Sequence, residues 1–310
     1  MSTTLEGIHF LVTYRCTYAC DHCFVWGSPA QEGTMTLAQL RDAIDQGVAA
    51  GVTDVYFEGG EPLLAYPVVL AAARHARAAG LAVGIVTNCY WAESVDDAVV
   101  WLEPFAALGV SDLALSSYAY FTETLDDEAH LRNAVVAAQR LGLPLGVLEV
   151  GAPARLADLG VACGEPGQIM HRGRAAEALA VGERLNRPPD TLTSCPYEDL
   201  AEPGRCHVDC SGALMPCQGI SIGNLFERPL TEILAHHDPA AVPVVREIAA
   251  GGPWALAQAA GLTPELPLYA DECHLCYELR RRLRAAGRHL DVLTPAQCYG
   301  IPGAAAASAG

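Results

Sequence analysis

A chain of 310 residues with 51% hydrophobic content is long enough to bury a substantial core and too apolar for disorder. Its formal charge of −17 repels nucleic-acid phosphates, no apolar run reaches the length of a membrane span, and residues 1–6 lack the basic start of a signal peptide. Nucleic acid and membrane are thereby excluded as partners, a cytoplasmic location is expected, and the absence of lysine among the 19 basic residues removes Schiff-base chemistry.

Short β-prone runs alternate with alanine- and leucine-rich stretches of helical periodicity from residue 8 to about residue 175, the pattern of parallel βαβ units. The predicted strands are residues 8–12, 54–57, 82–86, 112–116, 145–150 and a weaker 168–171. Helices are predicted over residues 37–50, 66–79, 95–107 and 128–141. Proline and glycine around Asn186-Arg187-Pro188-Pro189-Asp190 break the pattern, so residues 1–185 and 186–302 read as a core and a small cysteine-rich extension, with 303–310 a flexible tail.

In a parallel barrel the loops after the strands gather at one mouth, where ligands bind. Cys16, Cys20 and Cys23, spaced C-x3-C-x2-C, follow the first strand. Gly59-Gly60-Glu61-Pro62 follows the second, and Asn88 and Cys89 the third. Ser116, Ser117, Tyr118 and Glu149 end the fourth and fifth, and Arg172 and Arg174 follow the sixth. Asn88 and the serines are either ligand contacts or turn-satisfying groups. Glu149 either meets substrate or pairs with Arg172 or Arg174, and Cys89 is more readily a small buried hydrophobe than a catalytic thiol.

Twelve cysteines without an export signal point to metal ligation rather than disulfides. A bound zinc ion is one reading of the first three, but zinc wants a fourth protein ligand and only His22 lies nearby in sequence.

The C-x3-C-x2-C spacing, together with the Gly-Gly-Glu-Pro turn, resembles the signature of the radical S-adenosylmethionine enzymes. The resemblance implies a partial (β/α)6 TIM-like barrel. It also implies a [4Fe-4S] cluster on Cys16, Cys20 and Cys23, whose open iron chelates S-adenosylmethionine. In that family the turn Gly59, Gly60, Glu61, Pro62 receives the methionyl amino group and the residue at His22 lies near the adenine. Asn88, Ser116, Glu149 and Arg172 complete the expected cofactor contacts, and no catalytic side chain is named.

Beyond residue 186, Asp209-Cys210-Ser211-Gly212-Ala213-Leu214-Met215-Pro216-Cys217, with Ile222-Gly223-Asn224-Leu225 after it, resembles the hairpin of SPASM and Twitch extensions. That resemblance implies an auxiliary [4Fe-4S] cluster on Cys195, Cys217, Cys273 and Cys276, with Cys276 opening a helix and Cys206, Cys210 and Cys298 as spare ligands. Zinc on the same four thiols remains an alternative. The arginines at 280, 281, 282, 284 and 288 read either as a carboxylate- or phosphate-binding group or, more readily, as a solvated helix face.

The activity so implied is reductive cleavage of S-adenosylmethionine to a 5′-deoxyadenosyl radical that abstracts hydrogen from a peptide or natural product. A reductant such as flavodoxin or ferredoxin is implied, and with the first strand beginning near residue 8 a leader peptide is expected to need either a separate leader-peptide-recognition protein or a different binding surface. The alternatives are methyl or aminocarboxypropyl transfer to a small molecule, and a non-catalytic zinc or iron–sulfur redox sensor.

Overall fold

A computed structural model describes residues 5–117, 128–150, 156–161 and 167–302. Tyr118 and the 303–310 tail lie outside the described residues.

The spine of the molecule is β1 (Gly7–Thr13), whose near-continuous apolar sequence is buried on both faces, as a central parallel strand requires. On one side it pairs in parallel with β2 (Asp54–Gly59), followed outward by β3 (Ala82–Thr87), β4 (Asp112–Ser116) and β5 (Leu145–Leu148). The crossovers carry α1 (Leu37–Ala50), α2 (Tyr66–Ala78), α3 (Val95–Leu108) and α4 (Ala129–Arg140), and a short α5 (Arg174–Ala178) comes later, beyond β5. Local chemistry sets the ends of these helices. Thr36 and Gln39 form a capping box on α1, Ser94 caps α3, and Gly51 takes a left-handed φ of 85° to stop α1. This is the expected α/β, partial TIM-like barrel wall.

The sixth parallel strand is not where the sequence places it. Residues 168–171 carry no ladder; among the described residues the nearest pairing is the bridge between Val150 and Gly167. Their backbone is drawn elsewhere: His171 N donates to Asp271 Oδ2 at 3.1 Å. Instead β6 (Arg205–Asp209) pairs in parallel with β1 at the opposite flank. Antiparallel β7 (Ala213–Met215) and β8 (Gly223–Asn224) extend it, giving the order β5-β4-β3-β2-β1-β6-β7-β8.

The pleat of β1 divides the core. Ile8, Phe10 and Val12 face the crossover helices and, through Val208, Leu225 and Leu230, α6 (Leu230–Ala235). Leu11 faces the other way, with Tyr14 and Val25, into a second apolar core built by α7 (Pro243–Ala260) and α8 (Glu272–Ala285). α7 kinks at Gly251 and Gly252; a Cβ on Gly252 would stand 2.3 Å from Ser194 N, so the glycine lets α7 press against the segment leading to Cys195. α8 begins at Glu272, capped by Asp271, so Cys273 and Cys276 both lie on the helix three residues apart, whereas the sequence suggests a start at Cys276. Among the described residues no helix is long and apolar enough to cross a membrane.

Candidate metal and cofactor sites

The loop after β1 folds back so that Cys16 N donates to Ser28 O at 3.0 Å and Cys23 N to Cys20 O at 3.1 Å. Cys16, Cys20 and Cys23 thereby converge on a cavity of about 210 Å³ at the mouth of the barrel, together with His22, Gly59, Gly60, Asn88 and Ser116. Leu148, Val150 and the 168–170 segment close its far wall. Gly27 N donates to Cys23 Sγ at 3.1 Å, and Asn88 Nδ2 reaches Cys16 Sγ at 3.4 Å and Thr17 Oγ1 at 3.0 Å.

Burial pushes the Cys16 thiol up to about 11, with Glu61 and Cys23 adding to it, and pushes Cys20 higher still. Three thiols gathered this closely ionise together only around a compensating cationic centre, so the donor set fits a metal or iron–sulfur group. Burial also lowers the His22 ring to about 4, leaving a neutral imidazole in the cavity wall.

The Gly-Gly-Glu-Pro turn has a different local role from the one its composition suggests. A Cβ on Gly60 would stand 2.3 Å from Arg15 O and one on Gly59, at φ 131°, 2.5 Å from Thr13 O. Both glycines therefore let the turn dock on the cysteine loop, independent of any ligand. Glu61 is fully buried and does not line the cavity. Its carboxylate accepts from Leu63 N at 2.9 Å, Thr87 Oγ1 at 2.9 Å and Asn88 N at 2.8 Å, which fastens the end of β3 to the turn. Burial raises it to about 7 against those three donors. Pro62 opens the 3-10 turn that Glu61 caps. Cys89, at φ 63°, sits in the core away from the cavity.

Glu149 is buried next to the edge strand, its carbonyl accepting from Gly167 N at 2.8 Å. Arg172 turns away from the cavity. It reaches Cys217 Sγ at 3.2 Å and Glu198 Oε1 at 3.3 Å, and its guanidinium lies 5.3 Å from the Phe24 ring. Arg174 Nη1 donates to Cys20 O at 2.6 Å and its Nη2 to Gly27 O at 2.9 Å, clamping the cysteine loop from behind. Gly173, at φ 61°, permits this: a Cβ there would stand 2.5 Å from Phe24 Cα.

Cys195, Cys217, Cys273 and Cys276 line a second, tight cavity of about 20 Å³ with Arg172 and Arg280. Arg280 is 1% exposed, correcting its assignment to a solvated face; Arg281 and Arg282 do reach surface carboxylates on Glu177 and Glu265. Arg280 Nη1 donates to Gln218 O at 3.0 Å and its guanidinium lies 5.8 Å from the Tyr299 ring. Buried guanidinium is costly without counter-charge, and the four thiols supply it when ionised. Cys206, Cys210 and Cys298 stand apart from this cavity: Cys206 is sealed in the barrel core, Cys298 Sγ is 3.8 Å from the Tyr14 hydroxyl, and Cys210 packs against Gly33.

Residues 10–135 match the family model described as the radical SAM superfamily. Those residues carry a radical SAM domain. The family implies S-adenosylmethionine and a [4Fe-4S] cluster, and the three convergent thiols of this domain fit such a cluster. Three curated relatives, each a PqqA peptide cyclase from a strain of Xanthomonas campestris pv. campestris, are 30% identical over 160 residues, covering 47% of this chain and 40% of each relative. The chain thus spans less than half the length of the curated relatives it matches. The solved structure of methylornithine synthase (PylB) aligns with a TM-score of 0.36 and 15% identity, over 47% of this chain and 44% of that one.

The sequence motifs found the three radical SAM domain thiols because they are local. Sequence reasoning missed Gly27, Tyr18 and the 168–170 wall, which carry no distinctive spacing, and missed that Arg172 and Arg280 serve the second cysteine group.

Proposed function

We propose that this chain is a radical SAM enzyme that binds S-adenosylmethionine over a [4Fe-4S] cluster held by Cys16, Cys20 and Cys23 and abstracts hydrogen from a peptide substrate. The observation that carries the reading is the convergence of those three thiols with Gly59, Gly60, Asn88 and Ser116 on one cavity at the barrel mouth. When bound, the cluster supplies the electron that splits the sulfonium into methionine and a 5′-deoxyadenosyl radical. The protein's part is to hold and shield. Gly27 N and Asn88 Nδ2 donate to the cysteine sulfurs, Arg174 fixes the loop, and Leu11, Val86, Leu148 and Val150 keep the cavity wall apolar.

In this reading residues 1–185 form the catalytic core and residues 186–302 an auxiliary unit of SPASM or Twitch type, the two sharing a sheet through β1 and β6. Cys195, Cys217, Cys273 and Cys276 hold an auxiliary [4Fe-4S] cluster, favoured by the two buried arginines that face them. A peptide substrate is supported by the PqqA peptide cyclase relatives. A flavodoxin or ferredoxin supplies the electron.

Anaerobically reconstituted protein should hold roughly eight irons per chain, and dithionite with S-adenosylmethionine should release 5′-deoxyadenosine. A colourless zinc protein that releases none would overturn the reading. Release of a different nucleoside would replace hydrogen abstraction by group transfer.

A further inference from the structure

We propose that His9, Glu58 and His207 form a binding site for a divalent transition-metal ion at the floor of the cofactor cavity, whose lining Glu58 shares, with no cysteine among its ligands. The three residues come from three adjacent strands. His9 on β1 stands directly opposite His207 on β6 in the parallel register, and Glu58 on β2 lies diagonally across from His9. The pleat turns all three to the same face, opposite to Ile8 and Phe10.

Their donor atoms lie within 4.8 Å of one another. His207 Nε2 is 3.0 Å and His9 Nδ1 3.5 Å from the same oxygen, Glu58 Oε1. Those are the separations that neighbouring ligands take around one ion when each sits about 2.1 Å from it at tetrahedral or right angles. A purely hydrogen-bonded triad would instead aim an imidazole N–H at the carboxylate. Glu58 Oε1 is buried, and among the described residues no donor is aligned on it.

A further observation favours a cation. A cleft of about 290 Å³ opens from His9 to the surface beneath the barrel, lined by Glu6, Asp54, Glu198 and Asp199 with Arg205 the lone cation in its lining. That gives an access route with an attractive potential for a cation. Two imidazoles and one carboxylate are the ligands of borderline metals, and zinc fits them best, with one position left to water. Bound there, the ion ties β6 to β1 and β2 below the cofactor cavity.

The test is zinc chloride alone, titrated into anaerobically reconstituted, chelator-washed protein, with metal analysis after dialysis. One equivalent of zinc per chain should bind beyond the iron. Glu58→Gln and His207→Ala should weaken that binding at least about tenfold with iron content unchanged. The X-ray absorption spectrum of the zinc should show a nitrogen and oxygen shell with imidazole scattering. No uptake beyond iron, uptake equal in the near-isosteric Glu58→Gln, or a sulfur shell at the zinc would each overturn the proposal. The absorption readout uses the unaltered chain, so it holds even where His207→Ala does not fold.

Discussion

Arg172 donates to the sulfur of Cys217 at 3.2 Å while its guanidinium packs 5.3 Å from the ring of Phe24, the residue after Cys23, so one side chain touches both cysteine regions. Burial alone would lower this guanidinium's pKa; the thiols of Cys217 and Cys273 and the carboxylate of Glu198 outweigh it. Replacing Arg172 by Met keeps the volume and removes the charge. A charge-assisted hydrogen bond contributes about 1.5 to 3 kcal/mol, and preferential loss from the reduced state moves a one-electron couple negative by on the order of 50 mV or more. Potentiometric titration followed by electron paramagnetic resonance should find that shift in the auxiliary centre and little change in the other. Equal shifts in both, or none, would contradict the assignment.

Gly173 is held at φ 61° with no room for a Cβ, which would meet Phe24 Cα at 2.5 Å and Cys23 O at 2.6 Å. Backbone on that side cannot yield as a flexible side chain would. Gly173→Ala should destabilise the chain by about 2 to 4 kcal/mol and loosen the cysteine loop that Arg174 clamps. Reconstituted Gly173→Ala should lose iron first from the Cys16, Cys20, Cys23 centre, seen as loss of the spectral response to S-adenosylmethionine. Gly142→Ala is the control, since a Cβ there meets nothing within 4 Å although its φ of 65° carries the same backbone cost.

The barrel was legible in the sequence because period and spacing are local properties. The helix over residues 37–50 and the strand over 112–116 match the structure at both ends. What the sequence could not carry is pairing at long range. β6 reads as a short polar-flanked run, and only its ladder with β1, nearly two hundred residues earlier, makes it a barrel strand. The second cysteine group was legible by resemblance, whereas the burial of Arg280 was not, because adjacent arginines 281 and 282 give the helix a solvated appearance. His9, Glu58 and His207 carry no motif and meet only through the sheet register.

Glu61 gives a pH signature. Its carboxyl rises from an ordinary 4.5 to about 7 through burial, against donation from Asn88, Leu63 and Thr87. A carboxyl raised on folding binds its proton more tightly in the native state, so its contribution to stability is fully present below pH 4.5 and is lost as pH climbs to about 7. The loss amounts to about 3 kcal/mol. Glu61→Gln cannot ionise and escapes it. In urea unfolding of the metal-free chain, the difference between wild type and Glu61→Gln should slope by that amount across this window. A flat difference would mean that the three donors keep Glu61 ionised at low pH.

The cysteines separate into those that should carry metal and those that should not. Cys217 lines the second cavity beside Cys195, Cys273 and Cys276, while Cys206 is fully buried on the helix-facing side of β6. Cys217→Ala should therefore cut iron from roughly eight to roughly four per chain and remove one of two reduced-cluster signals. Cys206→Ala should keep both signals and cost only about 1 kcal/mol, as a small buried hydrophobe does when one sulfur is lost. Iron loss in Cys206→Ala with retention in Cys217→Ala would exchange their roles and move the auxiliary centre away from the two buried arginines.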